Sequence, residues 1–185
     1  MKKRQQILFV GIFMSMIPLN AYSETKDYPL TFLIKAHISS DILGYRITDF
    51  KITPDRIETT YDPEKEMFDE SVSEMKIVSN IPTERKEIFE YTLMLSRNEA
   101  SCLLLNGETI DYDTPQIFIG NDKGISTEIT KESPIENIKL LKSYSNYKSD
   151  NKNINIKFKK IKKDSFFGHI HHCSGGITLM AGLSL

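Results

Sequence analysis

Leu30-Thr31-Phe32-Leu33-Ile34-Lys35-Ala36-His37-Ile38 decides the fold class. Leu30, Phe32, Ile34, Ala36 and Ile38 are apolar at strict period two, against Thr31, Lys35 and His37 on the alternate positions. Only Leu33 interrupts the polar face. An amphipathic helix needs a 3.6-residue period, so this pattern predicts a half-buried strand, bounded by Pro29 and by Ser39-Ser40.

The same reading extends along the chain. Asp49 to Thr53, Arg56 to Tyr61, Glu74 to Ser79 and Phe89 to Leu95 are further strands, the last with Phe89, Tyr91, Leu93 and Leu95 on one face. Asn106-Gly107 between apolar runs predicts a hairpin with a type I′ turn, because both residues tolerate positive φ. Gln116 to Ile119 and Asn153 to Phe158 follow as strands. A closing strand after Gly175-Gly176 carries Ile177, Leu179, Ala181, Leu183 and Leu185 at period two. Glu132 to Leu141 reads equally as a short helix or an irregular loop. About nine short strands with turn residues between them predict one all-β domain, an antiparallel sandwich of immunoglobulin-like size. No βαβ alternation, repeat or dividing linker is present.

Composition supports an ordinary globular domain. The chain has 185 residues, 39% hydrophobic and 26% charged, with Lys+Arg 24 against Asp+Glu 25. These values exclude a fibrous or low-complexity chain, and a formal charge of −1 offers no electrostatic case for nucleic acid. Residues 1–23 read as a signal peptide: Lys2, Lys3 and Arg4 precede the apolar run Ile7 to Ile17, then Pro18 and the small-residue site Ala21-Tyr22-Ser23. The run is shorter than the ~20 residues a membrane span takes. Its removal takes away Lys2, Lys3 and Arg4 and no acid, so the formal charge moves from −1 to −4. An exported chain with one pair of cysteines, Cys102 and Cys173, is expected to join them in a disulfide.

Three patterns could carry chemistry. His169-Ile170-His171-His172-Cys173, if it lies on a strand, sends residues 169, 171 and 173 to one side, where two imidazoles and a sulfur could meet Zn²⁺ or Cu²⁺. The plain alternative is a polar loop leading into the last strand, with Cys173 taken by its disulfide; His169 and His171 are then weak metal candidates and no cofactor is expected. The second pattern is a catalytic set, but no Gly-x-Ser-x-Gly elbow, His-Glu-x-x-His helix or phosphate loop is present, and Asp111 and Asp113 sit beside a hairpin where Asp is a common turn residue. The chain is therefore not read as an enzyme. The third is the pair of alternating terminal strands. Either both belong to this domain's own sheets, or the N-terminal one fills a groove in a neighbouring molecule by strand addition.

The order of motifs resembles a known family. After the signal peptide come Phe32-Leu33-Ile34-Lys35-Ala36-His37-Ile38, then Thr59-Thr60-Tyr61-Asp62-Pro63 with Phe68 five residues later, Lys76-Ile77-Val78-Ser79-Asn80, and a closing Ser174-Gly175-Gly176-Ile177-Thr178-Leu179-Met180. This is similar to the pilins of alternate chaperone–usher fimbriae, the colonisation-factor-antigen and common-pilus type. Ser39-Ser40, where many relatives have Asp-Pro, and the cysteine pair depart from that pattern. The resemblance implies an incomplete immunoglobulin-like sandwich over residues 41–185, preceded by a donor strand in residues 24–40. It further implies a structural subunit exported through the periplasm to the cell surface and polymerised by donor-strand exchange. Its partners would be copies of itself or sister pilins, a periplasmic chaperone and an outer-membrane usher; a host receptor is left unidentified. Leu30, Phe32, Ile34, Ala36 and Ile38 would be the groove-filling face. The competing function is an exported β-sandwich that binds a ligand or metal through His169–His172.

Overall fold

The computed structural model describes residues 30–38, 41–42, 44–62, 64–120, 124–161 and 170–184. The segment read as a signal peptide lies outside them, as do Ser39, Ser40, His169 and Leu185.

The strands in chain order are β1 (Leu30–Ile38), β2 (Asp41–Ile42), β3 (Tyr45–Thr53), β4 (Arg56–Thr59), β5 (Tyr61–Asp62), β6 (Met67–Phe68), β7 (Ser71–Pro82) and β8 (Glu90–Leu104). They continue as β9 (Thr109–Asp111), β10 (Gln116–Gly120), β11 (Ser126–Ile129), β12 (Ile135–Lys139), β13 (Lys142–Tyr144), β14 (Tyr147–Lys157) and β15 (Ile170–Ser184). One sheet has the order β12-β8-β15-β1-β4, with β9 added to β8. β5 and β6 pair as a small two-stranded sheet, and the second large sheet has the order β11-β10-β14-β7-β3-β2, with β13 added to β14. Their inner faces enclose a single core that includes Phe32 and Leu93 from the first sheet and Ile77 and Ile154 from the second. The fold is an all-β, immunoglobulin-like sandwich.

Periodicity explains which side chains enter that core, and bulges explain where the period breaks. On β8, Tyr91, Leu93 and Leu95 are buried, but further along the buried set is Ala100, Cys102 and Leu104. The change from odd to even positions follows the register shift that pairs Thr178 with Arg97 but Leu179 with Leu95. One extra residue, Ser96, turns the strand over, because a single inserted residue exchanges its two faces. A second shift, between Ile170 and His172, does the same on β15, whose buried positions pass from Ile170 to Cys173, Ile177, Leu179, Ala181 and Leu183. β15 runs from Ile170 through Gly175-Gly176, so of the two readings of this stretch, strand or polar loop, the described residues are strand.

Two local expectations change. Asn106-Gly107 does turn the β8–β9 hairpin, but only Gly107 has positive φ (87°). Gly107 N donates to Leu104 O at 3.0 Å and Leu104 N to Glu108 O at 2.8 Å. This is a three-residue loop with a glycine bulge instead of type I′. The two-residue turn with positive φ at both positions is Ser145-Asn146 (47° and 69°), between β13 and β14. Glu132 to Leu141 is neither helix nor irregular loop: it contains β12, an edge strand interrupted between Ile135 and Ile138, with Asn137 at φ 58°.

Candidate functional site: the slot of the N-terminal strand

β1 lies between β15 and β4. It pairs with β15 from Leu30↔Cys173 to Ile38↔Ala181, and this is the only parallel pairing among the described residues. With β4 it pairs antiparallel, but only from Leu30↔Thr59 to Leu33↔Arg56. One further backbone bond, Ile34 N to Asp55 O at 2.8 Å, closes that side. The sandwich is thus antiparallel except at this one joint. In the single chain the position between β4 and β15 is filled by the chain's own strand.

The five predicted groove-filling residues do not enter equally. Leu30 and Phe32 are wholly buried and Ile34 nearly so; Ala36 is half-buried against the core, and Ile38 is 44% exposed. In the single chain Ile38 therefore adds little to the buried face of β1. At this end of β15, Leu183 stays buried with no β1 residue opposite it in the pairing.

Phe32 is the largest of the buried anchors on β1. Its ring stands 5.3 Å from Phe158, which stands 5.9 Å from Phe68, and Phe68 meets Tyr61 edge-on at 5.7 Å. The residue opposite Phe32 on β15 is Gly175. A Cβ there would collide with the Phe32 ring and with the backbone oxygen of Glu99. Gly175 therefore makes the recess that the ring occupies. The sequence reading used the glycine pair only as punctuation; an interior strand glycine is itself a signal of close approach by another group.

The disulfide borders this slot. Cys102 and Cys173 face each other across β8 and β15, with Cα atoms 3.9 Å apart, and form the predicted bond. Since Leu30 pairs with Cys173 on the other side, β15 is covalently held on one edge where it receives β1 on the other. On the outer face of the sheet, Leu33 and Lys35 of β1 border a groove of about 830 Å³ shared with Ser101, Asp111, Ser174 and Gly176.

A polar group lies within the core between the two sheets. Tyr91 Oη donates to Asp150 Oδ2 at 2.9 Å, and Lys152 Nζ lies 3.4 Å from the same oxygen. Asp150 is 1% exposed and its Oδ1 has no hydrogen-bond partner among the described residues. Burial pushes the Asp150 carboxyl above the ordinary value of 3.8, opposed by the Tyr91 hydrogen bond and the Lys152 charge. The sequence reading put Tyr91 on the apolar face of its strand but did not bring it together with Asp150 and Lys152.

His171 and Cys173 do not share a side as alternation predicted, His171 being exposed and Cys173 buried. His169 lies outside the described residues and Cys173 is in the disulfide. The bulge instead brings neighbours together: His171 Nδ1 and His172 Nδ1 are 2.9 Å apart. Among the described residues no three His, Cys, Asp or Glu side chains converge as a metal group. Asp111 ends β9, and Asp113 follows in the loop leading to β10. Between them, the half-buried Tyr112 donates its hydroxyl to Lys159 O at 2.6 Å.

Compared with protein-family models and with curated proteins, the chain matches none.

Proposed function

We propose that the chain is a structural fimbrial subunit that polymerises by donor-strand exchange at a bacterial surface. The observation that carries this reading is the placement of β1: a strand at the N-terminal end of the fold, apolar on one face, held parallel against β15 and by a short pairing with β4. Taking β1 away leaves the backbone of β15 unpaired along that edge and opens a slot with the Gly175 recess at its floor. Both are costly in water, so the slot calls for another strand. The same strand from a second copy has the side chains that fit.

Orientation supplies a driving force. β1 pairs with β15 over nine residues but with β4 over four. A strand entering in the opposite sense makes the long pairing antiparallel and the short one parallel. Antiparallel ladders are somewhat more stable per residue, so the exchanged state is favoured on that count. In this reading the self-inserted strand is the form a lone chain takes, a periplasmic chaperone and an outer-membrane usher manage the exchange, and no catalysis is involved.

The test is assembly of the mature chain at high concentration, followed by size-exclusion chromatography. A ladder of oligomers is expected, and Ile34→Asp, which places a charge in the slot, should abolish it. A chain that stays monomeric at every concentration and after gentle warming contradicts the proposal.

A further inference from the structure

Strand exchange leaves the histidine run at the start of β15 unused. The bulge between Ile170 and His172 places two consecutive imidazoles side by side, with ring centroids 5.2 Å apart and planes inclined by 74°. In a regular strand, neighbouring side chains point to opposite faces and could not meet in this way. The backbone on both sides is anchored, since Ile170 and Cys173 are buried and Cys173 is in the disulfide. His171 itself is exposed.

We propose that His171 and His172 form a two-nitrogen chelate for Cu²⁺, through Nδ1 atoms that the β15 bulge holds 2.9 Å apart. Without metal, one Nδ1 carries the proton and donates it to the other. A cation takes the place of that shared proton and receives both lone pairs. With metal–nitrogen bonds of about 2.0–2.1 Å, this separation gives a bite angle of about 90°. That is the cis angle of a square-planar or tetragonal ion such as Cu²⁺ or Ni²⁺. Tetrahedral Zn²⁺ would need the nitrogens about 3.3 Å apart. No third protein ligand converges here among the described residues, so the remaining positions go to water.

The mature chain is titrated with copper(II) chloride in a non-chelating buffer, and binding is followed by visible absorbance and electron paramagnetic resonance. One tight Cu²⁺ per chain is expected, with hyperfine coupling from two imidazole nitrogens. His171→Gln and His172→Gln should each weaken it at least about tenfold, with melting temperatures in chelator unchanged. His37→Gln, on β1 opposite Met180, should leave it as it is. Ni²⁺ should bind at least as tightly as Zn²⁺. Unchanged copper affinity in either single variant, coupling from one nitrogen only, loss of binding in His37→Gln, or Zn²⁺ binding tighter than Ni²⁺ would each overturn the proposal. A pair that is a hydrogen bond and nothing more gives the first of these results.

Discussion

The two edges of β15 are built differently. Toward β8 the pairing is antiparallel, runs almost the whole length of both strands and is fixed by Cys102–Cys173. Toward β1 it is parallel and non-covalent, and the burial of the incoming strand fades from Phe32 to Ile38. One edge is fixed covalently and the other is held by backbone pairing and side-chain packing alone. The disulfide matters most for this contrast, because it ties β15 to β8 covalently while β1 has no such tie.

Substitutions should separate the edges. Phe32→Asp removes the largest anchor of the β1 edge and puts a carboxylate beside Phe158, and is expected to cost on the order of 5 kcal/mol. Chemical denaturation should show a loss of that size, with β1 becoming accessible to proteases while the core remains protected. Replacing both cysteines with serine attacks the other edge. The cross-link closes 71 residues of sequence, and on the chain-entropy model its loss costs about 4 kcal/mol. In that variant, β1 release should unfold the whole domain instead of opening one edge. Gly175→Ala tests the recess alone. Overpacking against Phe32 should cost about 1–3 kcal/mol, and pairing it with Phe32→Leu should recover part of that in a double-mutant cycle.

The smallest effect lies away from both edges. Tyr91→Phe removes a hydrogen bond to Asp150 and should cost about 1–2 kcal/mol. Because the folded Asp150 carboxyl sits above its ordinary value of 3.8, its protonated form is the one folding favours. The associated stability is full below that value and is lost as pH rises through the raised one. Denaturation at a series of pH values should show this decline, and Asp150→Asn should flatten it.

Much of this architecture is legible in the sequence, and what is missing has physical causes. Alternation locates β1, the β8 face of Tyr91, Leu93 and Leu95, and Ile154, Ile156 and Phe158. It fails where a bulge inserts a residue, as at Thr48, Ser96 and His171, since periodicity carries no sign of an extra residue that pairs with nothing. β12 is obscured by its own interruption at Asn137. The slot is half visible: the apolar face of β1 is plain, but its parallel partner and the role of Gly175 depend on which strands become neighbours. The Tyr91–Asp150–Lys152 group has no local signature, because its members come from different sheets.

The central claim is that the place beside β15 accepts a strand that need not belong to the same chain. Its most direct test uses a chain lacking residues 24–39 and a fluorescent peptide of residues 28–39, with binding read by anisotropy. The account predicts that the shortened chain is unstable alone and captures the peptide. It also predicts that melting temperature rises on capture, and that a Phe32→Asp peptide is refused. A shortened chain that folds stably and ignores the peptide would contradict it.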